Sequence, residues 1–173
     1  HLSDRRQRQM CIRDSSQISA IYRGYAQSNP EAAFQQAMNT EQDERLRNRL
    51  LGDVIEIQVE NGGLMAAKLK VDLISDPQTQ TNVRRRLINE WASFDPESAS
   101  DYVLALGDSA EANLKSTLVG EWAESDPAAA AAWLSKLPED DPSIARSSAE
   151  IIQEWTRYDL TASAQWLNSL PPS

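Results

Sequence analysis

Few residues in this chain of 173 are of the types that carry common enzyme chemistry. It contains one histidine and one cysteine, His1 and Cys11, and both lie in the first fifteen residues. A single cysteine excludes a disulfide framework, and one cysteine with one histidine cannot build a zinc site. Residues 16–173 contain neither type, so they lack the usual general bases and thiolates. We therefore expect a non-enzymatic protein with no catalytic residue, no metal site and no cofactor.

Regularly spaced carboxylates are the remaining candidates for a functional site. Four glutamates follow one another at intervals of 34, 31 and 33 residues: Glu56, Glu90, Glu121 and Glu154. If repeated elements stack, these side chains form a row that could bind a basic segment of a protein or peptide. The alternative is that each carboxylate hydrogen-bonds into a neighbouring turn or lies at a solvated edge.

The elements that would position these carboxylates form an internal repeat. Three segments align closely: EWASFDPESASDYVLAL (90–106), EWAESDPAAAAAWLSKLP (121–138) and EWTRYDLTASAQWLNSLP (154–171). Two looser copies precede them at 25–38 and 57–69. The repeat anchors, spaced by 31–34 residues, are Tyr25, Ile57, Trp91, Trp122 and Trp155. A regular period of this length is typical of stacked helical repeats.

Each repeat is predicted to form a helix hairpin, because a helix-capping residue type lies four positions after every anchor. The side-chain oxygen of such a residue accepts a hydrogen bond from a free N–H of the first helical turn, and proline suits the next position. One helix should therefore end just after the anchor, and the next should begin five positions after it. The predicted N-caps are Asn29, Asn61, Asp95, Asp126 and Asp159.

The five tryptophans lie on helical stripes. Three are anchors (Trp91, Trp122 and Trp155), and Trp133 and Trp166 come eleven residues after an anchor, beside leucines. Aromatic residues at this spacing are more often core than a stacking surface for a ligand. We expect all five to form the structural core of the repeats.

Residues 53–74 are the one stretch with a competing interpretation. DVIEIQVENGG (53–63) and AKLKVDLI (67–74) alternate apolar and polar residues around an Asn-Gly pair, which is typical of a β-hairpin. The repeat register instead predicts two helices here. We favour the helices, because the flanking repeats fix the space available to this segment.

The motif W-A-x-x-D-P-x-A-A-x-x-W-L-x-x-L-P resembles tandem helical repeats of large, uncharacterised bacterial proteins, which are described as TPR-like or HEAT-like. The likeness covers roughly residues 16–173 and is closest in the last three repeats. It implies an array of helix pairs that binds protein partners, and it carries over no catalytic residue. The segment from Asp126 to Trp133 is also similar to a tetratricopeptide turn, but Pro138 departs from that family's pattern.

The fold class that we predict is all-α: an α-solenoid of about five stacked helix hairpins spanning residues 16–173, as part of a longer array. Residues 1–15 differ in character, resemble translated sequencing-adapter sequence, and are interpreted as a non-native or disordered tail. No apolar run is long enough to span a membrane. Either the cytoplasm or the periplasm fits a chain without cysteine after residue 15.

The charge of the chain limits the classes of partner that it is predicted to bind. The formal net charge is −9, which disfavours nucleic acid, and residues 91–173 hold 4 basic and 14 acidic residues. We expect a non-enzymatic scaffold for protein–protein interaction, with a basic protein or peptide as partner. The alternative is a structural superhelical region of a larger bacterial envelope enzyme.

Overall fold

The computed structural model describes residues 20–40, 43–107 and 112–169, and all regular structure within these ranges is helical. This confirms the predicted all-α class. The first helix, α1, covers residues 20–28. The helices that follow are α2 (Pro30–Met38), α3 (Glu44–Glu60), α4 (Leu64–Asp72), α5 (Pro77–Ala92), α6 (Pro96–Ala105), α7 (Ala112–Ser125), α8 (Pro127–Leu134), α9 (Ile144–Trp155) and α10 (Leu160–Ser169).

Helix boundaries follow the predicted repeat register in four of the five hairpins. Helices α2, α6, α8 and α10 all begin five residues after an anchor, at Pro30, Pro96, Pro127 and Leu160. The preceding helices end at or within three residues of the anchor. The turn between the two helices of a hairpin is therefore short, and the capping residue lies in it.

Three of the predicted N-caps accept the expected hydrogen bond. Backbone N–H groups donate to Oδ1 of Asp95, Asp126 and Asp159 over 3.1, 2.9 and 2.9 Å respectively. Asn29 occupies the N-cap position of α2, but its side chain makes no capping bond.

The predicted N-cap at Asn61 is wrong, although the two helices predicted for residues 53–74 are confirmed. Asn61 is the C-cap of α3, and Gly63 is the N-cap of α4. The N–H of Gly63 donates to the carbonyl of Gln58 over 2.7 Å, and that of Gly62 to Val59 over 2.8 Å. This is a Schellman arrangement, which requires a left-handed residue, and Gly62 supplies it with φ +76°. Because Gly62 and Gly63 occupy this turn, α4 begins only at Leu64, whereas the second helix of the other hairpins begins five residues after the anchor.

Two compact units divide the chain, at Leu87 and Ile88 within α5. In the first unit, α3 packs between α2 and α4. Its fully buried side chains include Phe34, Leu51, Ile55, Ile57 and Val71. In the second unit, α7 packs on α6, α8 and α9, and α9 also contacts α8 and α10.

Tryptophans in the second unit pair with an aromatic residue eleven positions later. Ring centroids are 5.5 Å apart for Trp91 and Tyr102, 6.5 Å for Trp122 and Trp133, and 6.1 Å for Trp155 and Trp166. Each pair joins the two helices of one hairpin. Trp91, Trp122 and Trp133 are buried, as a core role requires. Trp155 and Trp166 are only half-buried, so the expectation of a full core position is wrong for this last pair, because less of the molecule covers α10.

Candidate acidic binding groove

The predicted row of glutamates is divided between the two units. Glu56 lies in the first unit, whereas Glu90, Glu121 and Glu154 lie in the second. Glu121 and Glu154 line a common groove, and the charge of Glu90 acts on Glu121. The structure therefore places two of the four predicted partner-binding residues in one groove, whereas Glu90 lies outside its lining.

In the first unit, Glu56 binds two arginines. Its Oε2 accepts a hydrogen bond from Nη1 of Arg23 over 2.8 Å, and its Oε1 accepts one from Nη1 of Arg86 over 3.0 Å. The same guanidinium groups lie 3.7 and 3.4 Å from Oδ1 of Asp53. Burial raises the pKa of Asp53, and the charge of Glu56 adds to this, while Arg86 and Arg23 oppose it. Glu56 is thus neutralised within its own unit.

Gly52 makes room for one of these arginines. A Cβ atom at Gly52 would overlap the side chain of Arg86. The guanidinium of Arg86 can therefore lie flat against α3 and reach both carboxylates. This explains a glycine in the interior of a long helix, where it is otherwise unfavourable.

The second unit contains an open groove of about 300 Å³ between α5, α7 and α9. Its carboxylates come from Glu121 and Glu124 on α7 and from Glu150 and Glu154 on α9. The remaining lining residues are Asn89, Ser116, Thr117, Gly120, Arg146 and Gln153. Four carboxylates and a single cation line this groove, so its electrostatic potential is negative.

Two of the groove carboxylates already have a local cationic partner. Nε of Arg146 lies 3.0 Å from Oε1 of Glu150, and Nη1 of Arg157 lies 2.6 Å from Oε2 of Glu154. Both arginines are about two-thirds exposed, at 67% and 61%. Their carboxylate partners, Glu150 and Glu154, are less exposed, at 33% and 15%. Because the cation of each pair lies largely in solvent, the attraction within the pair is screened and weak.

Glu121 has a neutral donor instead. It accepts a hydrogen bond from the side-chain amide of Asn89. Burial raises the pKa of Glu121, and repulsion from Glu124 and Glu90 adds to the effect, while the Asn89 hydrogen bond lowers it. A raised carboxyl pKa means that the negative charge is under-compensated, and a cation brought to this point would be stabilised.

The repeat register relates the two carboxylates to each other. Glu56 and Glu121 each lie one residue before an anchor. Arg23 and Asn89 each lie two residues before an anchor, and each donates to the glutamate of the following repeat. Arg86 and Glu150 both lie five residues before an anchor, in the repeat after that glutamate. Both arginines that surround Glu56 are thus replaced at the corresponding positions around Glu121, one by an amide and one by a carboxylate.

The predicted site residues include the four glutamates but not the neighbouring residues that determine whether each glutamate's charge is compensated. Arg23, Arg86, Asn89 and Glu150 were not among the predicted site residues. A signal was available in the aligned repeats, at the positions two and five residues before each anchor. These two positions can be related to the glutamates only when the contacts between successive hairpins are known.

Comparisons with protein-family models, with curated proteins and with solved structures found no match to this chain. Among residues 20–40, 43–107 and 112–169, no group of histidine, cysteine or acidic side chains has an arrangement that could hold a metal ion. No helix in that same part is both long and apolar enough to cross a bilayer. His1 and Cys11 lie outside the described residues, as does the predicted tail 1–15.

Proposed function

We propose that this chain is a non-enzymatic protein-interaction scaffold of the α-solenoid type, which binds a basic segment of a partner protein in the acidic groove of its second unit. The groove is the one lined by Glu121, Glu124, Glu150 and Glu154. The partner supplies the cations that the first unit supplies to Glu56 from its own chain.

The helix contacts within the second unit support the solenoid arrangement. The hairpin α5–α6 is followed by α7–α8, and α7 packs on α6. The next hairpin is α9–α10, and α9 packs on both α7 and α8. Each hairpin thus buries a face against the hairpin after it, as expected for a repeat that cannot bury its apolar surface alone.

The observation that carries the binding proposal is the contrast between Glu56 and Glu121. Glu56 accepts hydrogen bonds from two guanidinium groups at 2.8 and 3.0 Å. Glu121 occupies the same repeat position but faces Asn89, and Glu150 lines the groove beside it. The repeat position that accepts two guanidinium groups in one unit therefore also carries a glutamate in the other, where both internal cations are replaced.

The overall charge of this half of the chain favours the same class of partner. Residues 91–173 contain 14 acidic and 4 basic residues. A basic segment would be attracted over distances of about a Debye length, roughly 8 Å at physiological ionic strength. Complementary charge increases the association rate and disfavours acidic competitors.

A peptide of alternating Arg and Ser, labelled with fluorescein, would test the proposal by fluorescence anisotropy. The matched competitor replaces each Arg by citrulline, which has nearly the same shape but no charge. Removing two groove charges with Glu121→Gln and Glu124→Gln should weaken binding of the Arg peptide about tenfold, corresponding to about 1.4 kcal/mol. Loss of a desolvated charge pair is expected to cost at least this much.

The control variant removes two charges elsewhere. Glu139→Gln with Asp140→Asn changes the net charge equally on an exposed loop of the same unit. We expect this variant to bind the Arg peptide within about twofold of the parent, since surface charges outside the contact act mainly through screened, long-range attraction. If both double variants lose affinity equally, or if the citrulline peptide binds as well as the Arg peptide, the proposed site is wrong.

A further inference from the structure

One residue in the lining of the acidic groove carries a charge opposite to that of the groove carboxylates. Arg146, on α9, lies among Glu121, Glu124, Glu150 and Glu154. Its Nε donates a hydrogen bond to Oε1 of Glu150 over 3.0 Å. A guanidinium group of the chain itself is therefore already bound to a groove carboxylate, where the proposed partner would bring the same chemical group.

The contact of Arg146 differs from that of the arginine that joins two hairpins in the first unit. Nη1 of Arg86 lies 3.4 and 3.0 Å from carboxylate oxygens of Asp53 and Glu56, which belong to the preceding hairpin. Arg146 instead pairs with Glu150, four residues further along the same helix. The pair lies within α9, so opening it removes no ion pair between hairpins.

Burial within this pair favours exchange of the arginine rather than of the carboxylate. The side chain of Arg146 is 67% exposed, whereas that of Glu150 is 33% exposed. Pairs of this i,i+4 kind at a helix surface contribute little to stability. The second oxygen of Glu150, Oε2, is buried and accepts no hydrogen bond from the described part of the chain. A carboxylate binds a guanidinium best through both oxygens, so the pair with Arg146 leaves part of the binding capacity of Glu150 unused.

We propose that Arg146 is an internal competitor for the acidic groove, which pairs with Glu150 in the free chain and is displaced when a guanidinium of the partner binds there. This inference rests on the proposed binding of a basic segment and adds the residue that limits its affinity. Arg146 acts in two ways, because it compensates the charge of Glu150 and because its own charge repels the partner's cation. Removing it should therefore increase the affinity, which general damage to the fold would not do.

The fluorescein-labelled peptide of alternating Arg and Ser tests this proposal by fluorescence anisotropy. We expect Arg146→Gln to bind the peptide about fivefold more tightly than the parent chain, because a positive charge beside the bound guanidinium is removed. Arg146→Lys keeps that charge and should bind within about twofold of the parent. Lys136→Gln is the matched control, since Lys136 is exposed in the same unit and lies outside the lining of the groove. It removes an equal charge and should increase the affinity by less than about twofold.

Displacement of the arginine can also be observed directly by NMR spectroscopy. The Nε–H signal of Arg146, identified by its absence from Arg146→Lys, should shift towards the position of a solvated arginine when the Arg peptide saturates the parent chain. The proposal is overturned if Arg146→Gln binds no more tightly than Lys136→Gln, or if this signal is unchanged at saturation. Failure of the Arg peptide to bind the parent chain and every variant would instead reject the proposed function, and this inference with it.

Discussion

Nη1 of Arg86 lies 3.0 Å from Oε1 of Glu56, which comes thirty residues earlier in the chain. The same atom lies 3.4 Å from Oδ1 of Asp53, whose side chain is 8% exposed. One guanidinium therefore connects the first helix of one hairpin to a buried and a half-buried carboxylate of the hairpin before it. This contact therefore joins two successive repeats.

Replacing this arginine should destabilise the first unit. We expect Arg86→Gln to lower the free energy of unfolding by about 1.5 kcal/mol, because Asp53 loses a charged hydrogen-bond donor in a buried position. Arg85→Gln is the control, since Arg85 is adjacent and exposed. Urea denaturation would measure both. Equal stabilities for the two variants would mean that Arg23 alone is sufficient for these carboxylates.

Tryptophan burial predicts an ordered series of stability losses. Trp122 is 7% exposed, and we expect Trp122→Ala to cost about 3–5 kcal/mol. Trp155 occupies the same repeat position but is half-buried. Trp155→Ala should therefore cost clearly less, because part of its surface is already in contact with water. Chemical denaturation of both variants would contradict this interpretation if Trp155→Ala were the more damaging change.

Helix caps give a second comparison between repeats. Asp126 accepts a hydrogen bond from the N–H of Ala129, and Asp126→Ala should cost about 1 kcal/mol. Asn29 occupies the equivalent position without a side-chain bond. Asn29→Ala should thus have an effect of no more than about 0.5 kcal/mol. Thermal unfolding of the two variants checks the difference, and a larger effect at Asn29 would show that its amide does cap α2.

The raised pKa of Glu121 makes a prediction about pH. A group whose pKa is higher in the folded state than in the unfolded state opposes folding once it ionises. It ceases to do so below its unfolded pKa, when both states are protonated. Glu121→Gln should therefore stabilise the chain at pH 7, by roughly 0.5 kcal/mol for a partly exposed group. The stabilisation by Glu121→Gln should become smaller as the pH falls through the folded-state pKa of Glu121. It should vanish below the usual glutamate pKa of 4.5.

Glu139→Gln is the control for this experiment, because it removes one charge from an exposed loop. Urea denaturation at several pH values would compare the two variants. A stabilisation by Glu121→Gln that is constant across acidic pH would contradict the argument, since it could not come from the titration of this carboxyl group.

Short sequence motifs were sufficient to predict the helix hairpins, but not which charges surround each glutamate of the groove. The anchors, together with Asp95, Asp126 and Asp159, fixed the ends of six helices, because capping and proline chemistry act within one turn. The error at Asn61 has a local cause as well, since two glycines follow it and the left-handed Gly62 forms the Schellman turn that ends α3. The two arginines at Glu56 and their replacements at Glu121 depend on which helices meet, and this information is not local.

The partial exposure of Trp155 and Trp166 could not be predicted from the repeat pattern for a related reason. Their spacing is identical to that of Trp122 and Trp133, and identical spacing predicts identical burial. Burial depends on the neighbouring hairpin as well as on the hairpin that carries the residues. The periodic sequence therefore predicted the helical stripes that carry the tryptophans, but not the exposure of Trp155 and Trp166.

Two indole pairs at centroid distances of 6.5 and 6.1 Å also have an optical consequence. Their planes are inclined by 47° and 40°, so the transition dipoles of each pair are close and skewed, which is the condition for exciton coupling in circular dichroism. The hairpins α7–α8 and α9–α10 therefore each carry a pair of coupled indole chromophores. Trp133→Phe or Trp166→Phe would remove the exciton signal of one indole pair at a time. The unfolding of two neighbouring repeats could then be followed separately in a chain that carries no added label.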